Sequence, residues 1–278
     1  MHLTQLFDLS LIGRASRVGL EYAGADGVVL RLTFGELDDR ASRMAHELTA
    51  RGLQRGDRLC VHLGNGVAFI DLFLASVRLG VIFVPINILY RERELRHIVS
   101  DSAPTALVAA RDGGASYPDG TPSWDIDDLN AGADARTNQR PDISLDGDDA
   151  ALIVYTSGTT GVAKGAVLSH NNLAANGINV TSVWKITEAD RYLAALPLFH
   201  VHGLGNGLHS WLISGCTMRL LDRFDQHSTP AIMREFKPTV FFGVPTMYVR
   251  LLDAALVPEA MAHEIGRAAR LFVSGSAP

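Results

Sequence analysis

Cysteine is scarce: the 278-residue chain contains two, Cys60 and Cys216. Their wide separation suits neither a disulfide framework nor a metal-ligand spacing, and a reducing cytoplasm is the simplest compartment. Runs of lysine and arginine are missing, and 25 basic against 30 acidic residues give a net charge of −5. That balance offers no general attraction to nucleic acid or anionic lipid. Long apolar runs are missing too. The most apolar segment, residues 79–89, is broken by Pro85 and Asn87 and falls short of the roughly 20 residues of a spanning helix. The N-terminus lacks a basic region and carries Asp8 within its apolar stretch, unlike a secretory signal. Three familiar motifs are also absent. No Gly-Lys precedes Ser or Thr, Gly203, Gly205 and Gly207 miss the dinucleotide fingerprint, and no Gly-X-Ser-X-Gly elbow occurs. A Walker-type ATPase, a nicotinamide enzyme and a serine hydrolase are thereby disfavoured.

What is present is an alternation of short apolar runs with helical patterns, in a chain 47% hydrophobic and 20% charged. Strand-like runs lie at 58–63, 81–85, 105–110, 151–156, 191–196, 216–221, 239–244 and 270–274. Apolar-periodic helices fit between several of them. The pattern predicts an α/β fold with mostly parallel sheets flanked by helices. Residues 111–149, rich in Gly, Asp, Pro, Ser and Asn, read as a surface excursion between two interleaved α/β halves. The chain stops just after a strand-like run and a Gly/Ser turn, which predicts a fragment.

The strongest local signal is Ile153 to His170. A buried strand runs into Thr156, Ser157, Gly158, Thr159, Thr160 and Gly161, followed by Lys164 and Gly165, a second strand and a helix starting near Ser169. Glycines let backbone N–H groups approach an anion, hydroxyls add donors and one lysine supplies a point charge, so the loop suits a polyphosphate. A plain flexible turn is the bland alternative, and six consecutive hydroxyl or glycine residues after a buried strand weigh against it.

Tyr155 to Gly165 resembles the phosphate-binding signature of the adenylate-forming (AMP-binding) superfamily, acyl-CoA synthetase branch, with Ala163 where the usual proline stands. Further stretches resemble that family in the same order. Leu32 to Leu37 resembles its first N-terminal motif, residues 79–104 the next, Pro197 to Leu204 the substrate-pocket motif, and Ser274 to Pro278 the start of the adenine-binding turn. The segment Val240 to Leu252 resembles malonyl-CoA synthetases. The resemblance covers residues 1–278 as a partial N-terminal AMP-binding domain, truncated before the rest of that domain and the small C-terminal domain.

The resemblance implies a ligase that joins a small-molecule carboxylate to coenzyme A with Mg2+ and ATP, through an acyl adenylate. It implies that Thr156 to Gly161 and Lys164 hold the ATP phosphates, with Lys164 and His200 catalytic. Ser274, Gly275, Ser276, Ala277 and Pro278 would line the adenine, and His202 and Arg250 the acyl group. Arg250 would receive the distal carboxylate of malonate or a close dicarboxylate, since an unpaired buried charge costs several kcal/mol and a guanidinium fork fits it. The bland readings are a satisfied core histidine for His200 and an ordinary helix-surface arginine for Arg250. A His-X-His zinc site lacks a third ligand, and the family's metal-binding Glu would lie beyond Pro278, so no metal ligand is expected in this chain. Without the missing C-terminal domain, little activity is expected from these residues alone. A medium-chain or aryl acid ligase, an adenylation domain serving a carrier protein, and a catalytically silent nucleotide-binding module are the alternatives.

Overall fold

Each predicted apolar run becomes a strand, and the parallel strands are joined by helices that cover the sheet faces. The computed structural model describes residues 2–24, 29–111, 117–118, 120–156 and 163–276. Strands β1 (Val18–Ala23), β2 (Val29–Thr33), β3 (Arg58–His62), β4 (Ile82–Pro85), β5 (Ala106–Ala109) and β6 (Ser123–Asp125) come first. They are followed by β7 (Ala150–Thr156), β8 (Lys164–Ser169), β9 (Arg191–Ala194), β10 (Thr217–Leu221), β11 (Val240–Gly243) and β12 (Leu271–Ser274). They form two six-stranded sheets, ordered β12-β11-β9-β10-β1-β2 and β6-β5-β3-β4-β7-β8. Among the described residues only β1–β2 and β7–β8 pair antiparallel. The chain therefore enters the first sheet, builds the whole of the second, and returns to finish the first.

Local chemistry sets the entry points. In Leu32 to Leu37, Thr33 caps the helix Phe34–Ala50: its hydroxyl accepts from the Glu36 N–H at 3.1 Å, and the Glu36 carboxylate accepts from the Thr33 N–H at 2.7 Å. This reciprocal box satisfies donors that a helix start leaves open. Ser169 caps the helix His170–Val183 in the same way, with Asn172 as its partner. The helix Val67–Leu79 is buried nearly all round, packed against β4 and the helices Phe34–Ala50 and Leu3–Leu11, which explains its lack of a polar face. Phe7, Phe34, Phe73, Phe83, Trp211 and Phe242 belong to one core that spans both sheets. Among the described residues no helix is long and apolar enough to cross a membrane.

Residues 111–149 are more than the surface excursion expected. Ser123–Asp125 adds the edge strand β6, parallel to β5, and Asp125 then caps the helix Ile126–Asp134 by accepting from the N–H groups of Asp127 and Asp128. Ile126, Leu129 and Ala133 of that helix are buried. The half-buried strip that results has too few aliphatic residues to register as a run. Arginines tie the segment down: Arg136 to Glu47, and Arg140 to both Asp8 and Asp38.

Candidate active site

Thr156, His200 and the Ser274 to Ser276 turn lie at or beyond the C-terminal ends of β7, β9 and β12, the ends at which open α/β sheets leave a crevice for ligands. β7 delivers Thr156 to one side of the glycine–hydroxyl loop, and β8 resumes at Lys164 directly opposite it in the antiparallel register. Both residues are exposed, so a hydroxyl and an ammonium group stand at the mouth of the loop. Ser157, Gly158, Thr159, Thr160 and Gly161 lie outside the described residues, as do Ala277 and Pro278.

The stems of this loop are braced by the helix Glu92–Ser102. The Tyr155 hydroxyl donates to the Asp101 carboxylate at 2.7 Å, and the His97 ring nitrogen Nε2 lies 2.6 Å from the Ala163 carbonyl. The His97 and Tyr155 rings meet edge to face at 6.1 Å. Gly165 has a steric reason: a Cβ there would come within 2.9 Å of the Ile153 side chain and 3.1 Å of the Tyr155 ring. Neither His97 nor Asp101 carries a signal in the sequence, because their partners are 66 and 54 residues away. Replacing Tyr155 by Phe keeps the ring and removes the donor to Asp101. The expected loss is about 1 kcal/mol, the net worth of one hydrogen bond, read as a lower urea midpoint at unchanged slope.

Beyond β9, the segment Pro197 to Leu204 turns sharply. The His200 N–H donates to the Pro197 carbonyl at 3.2 Å, and the Leu204 N–H to the His200 carbonyl at 2.9 Å. A π-helical segment, His202–Leu208, then feeds the α-helix His209–Ser214. Single π turns of this kind are rare and concentrate at functional sites. The His200 ring packs on Phe199 at 4.8 Å and is otherwise accessible. Partial desolvation lowers its pKa below the usual 6.5, which favours the neutral imidazole at pH 7.

His202 is buried, with its ring stacked over Phe242 at 6.0 Å. Its Nδ1 lies 3.2 Å from the Ser276 hydroxyl. Burial lowers its pKa as well. The structure therefore brings His202, expected at the acyl group, against the expected adenine turn. Ser274 closes the β11–β12 ladder opposite Gly243, and the Gly275 N–H donates to the Gly243 carbonyl at 3.3 Å. Ser276 has φ +63°, a left-handed conformation that side chains seldom adopt. The hydroxyl contact with His202 helps hold it there.

The Arg250 side chain makes no hydrogen bond or ion pair with this cluster among the described residues. It lies in the last turn of the short helix Pro245–Leu251, two residues beyond Tyr248. Tyr248 faces the sheet, donating to the Val273 carbonyl at 2.6 Å, and a two-residue step turns a helix by about 200°. The Arg250 side chain is accordingly exposed, and among the described residues it has no ion-pair partner.

Known proteins are similar to this chain in sequence and in fold. Feruloyl-CoA synthase of Amycolatopsis sp is 34% identical over 218 residues, covering 78% of this chain and 44% of that protein. Malonate–CoA ligase of Arabidopsis thaliana is 33% identical over 259 residues, covering 81% of this chain and 41% of its own. ATP-bound MatB from Rhodopseudomonas palustris superposes with a TM-score of 0.84 at 34% identity, over 100% of this chain and 56% of that one. The chain thus spans less than half the length of these two curated relatives. The family of AMP-binding enzymes matches residues 20–278, the stretch that carries both sheets and the strand ends just described, and the chain belongs to it.

Proposed function

We propose that the protein serves as an ATP-dependent carboxylate–CoA ligase acting on malonate or a close dicarboxylate. The carboxylate attacks the α-phosphorus of MgATP and expels pyrophosphate, giving an acyl adenylate. The coenzyme A thiolate then attacks the acyl carbonyl and releases AMP. The first step gathers negative charge on a crowded phosphate, so its catalysis is positioning and neutralisation. In this reading Lys164, Thr156 and the loop between them hold the β- and γ-phosphates. Neutral His200 donates a hydrogen bond to oxygen that gains charge, and Ser274 to Ser276 border the adenine. The observation that supports it best is the shared placement of the loop stems, the His200 turn and the Ser276 turn at the ends of parallel strands.

The dicarboxylate part rests on Arg250. An exposed guanidinium with no partner among the described residues is available to a second carboxylate. The malonate–CoA ligase relative favours the same class, whereas the feruloyl-CoA synthase relative favours an aryl acid. ATP–pyrophosphate exchange with malonate, methylmalonate, acetate and octanoate separates these readings, measured on this chain and on any longer product of its reading frame. Exchange with the dicarboxylates is expected, and Arg250→Leu should cut it by on the order of 100-fold, the loss of a charge-assisted pair of about 3 kcal/mol. Exchange with octanoate or acetate alone would return Arg250 to the role of a surface residue.

A further inference from the structure

Asn65 sits in the short turn between β3 and the helix Val67–Leu79, at the C-terminal edge of the second sheet. Its carboxamide bonds entirely to backbone at the strand ends of the first sheet. The Nδ2 group donates to the Leu196 carbonyl at 3.0 Å and to the Leu221 carbonyl at 2.9 Å. The Oδ1 atom accepts from the Leu198 N–H at 2.8 Å. The partners fix which way the amide faces, because only NH2 can serve two carbonyls and only oxygen can serve an N–H.

These bonds grip a particular place. Leu196 and Leu198 flank Pro197, whose carbonyl receives the His200 N–H. Leu221 ends β10, next to β9 in the sheet. One side chain therefore sets the direction in which the chain leaves β9, three residues before His200. The partners are 131 to 156 residues distant in sequence, so local turn preference cannot supply the same constraint.

We infer that Asn65 is a positioning residue of the active site: its carboxamide fastens the main chain on both sides of Pro197 and thereby aims His200. The inference rests on the proposed adenylation role of His200, and its consequences for the backbone hold independently. Alanine at 65 strands two carbonyls and one N–H. Aspartate preserves size and the acceptor for Leu198 but turns a carboxylate toward two carbonyl oxygens. Asn65→Asp thus separates loss of volume from loss of the donor.

The test compares Asn65→Ala and Asn65→Asp with the unaltered protein by malonate-dependent ATP–pyrophosphate exchange and by hydrogen exchange at the Leu198 amide. Both variants are expected to lose turnover number by on the order of 10- to 100-fold, as a misplaced catalytic group does. The apparent KM for ATP should change by less than about three-fold, since the phosphate loop is held elsewhere. The Leu198 amide should exchange at least about 10-fold faster in Asn65→Ala, having lost its acceptor, and near the original rate in Asn65→Asp. Full turnover in Asn65→Ala, or a loss confined to KM, overturns the inference. So does an unchanged Leu198 amide in that variant. Should neither this chain nor any longer product of its reading frame exchange pyrophosphate with any carboxylate, the proposed function fails. The Leu198 amide and the NMR titration of the His200 ring, expected to move toward 6.5 in Asn65→Ala, then decide Asn65 alone.

Discussion

Gly203→Ala is expected to destabilise the protein by about 3 kcal/mol, at the upper end of overpacking penalties. A Cβ at this position would lie 2.3 Å from the Pro197 carbonyl oxygen and 2.9 Å from its carbon. Both atoms are backbone and cannot swing away as a side-chain tip can. The π-helical segment and the Pro197 turn would have to separate, in the same turn that Asn65 fastens. Gly205, two residues on, supplies the control. Its added Cβ would meet only Val201 at 3.4 Å and Asn176 at 3.9 Å, ordinary contacts. Gly205→Ala should therefore fall within about 1 kcal/mol of the unaltered protein, the scale of the helix preference of alanine over glycine. Urea unfolding of the two variants side by side checks this. Equal midpoints would mean that the close approach of Gly203 to Pro197 does not govern stability.

His209→Leu is expected to stabilise the protein, and to do so more strongly as the pH falls. The His209 ring is fully buried, stacked on Phe73 at 5.5 Å and tilted against Phe7 at 5.4 Å. Among the described residues neither ring nitrogen has a hydrogen-bond partner. Burial pushes its pKa down to about 3. Between pH 6.5 and that value the unfolded chain takes up a proton that the folded protein refuses. The native imidazole thus lowers stability by up to about 1.4 kcal/mol for each pH unit descended. Above pH 6.5 this proton-linked penalty is absent and only the unpaired nitrogens matter. His170, pushed down to about 4, acts in the same direction. Asp71, buried beside Arg40 and pushed up to about 6, acts in the opposite one. Both remain in the variant, so the difference between the two proteins isolates His209. Denaturant unfolding at pH 7, 6 and 5 should show that difference widening; a constant difference would mean the ring finds a proton acceptor or water inside the core.

Most of the parallel strands were legible because buried strands read as largely apolar runs. The strands that escaped have identifiable reasons. β1 carries Glu21, whose charge is answered 198 residues away by Arg219 at 2.6 Å. It also carries Gly19, where a Cβ would strike the Phe34 ring at 2.6 Å. Both residues look like loop chemistry until their partners are present. β6 is three residues long and offers only Trp124 as a hydrophobic marker. At the candidate site, Thr156 and Lys164 stand in a motif dense enough to read directly, whereas His200 and the Ser274 to Ser276 turn are reached only through the family resemblance. Asn65, His97 and Asp101 do not, because each acts through a backbone atom or hydroxyl brought close only by tertiary structure. The π turn hides for a related reason: Gly203 and Gly207 are there to admit Pro197 and the Tyr192 hydroxyl, and spacing alone resembles a failed nucleotide fingerprint.

The interleaved path of the chain also dictates an order of assembly. Every strand of the second sheet comes from residues 58–169, so that sheet can pair while the chain is still being extended. β1 must wait for β10, with Leu20 aligned to Met218 about 200 residues later, a closure that is entropically costly and kinetically late. Until then the hairpin β1–β2 has only itself and neighbouring helices for company, and the edge of β1 stays unpaired. A nascent chain of this design therefore carries an adhesive β1–β2 hairpin until β10 is made, and the interval before β10 emerges is when aggregation competes with folding.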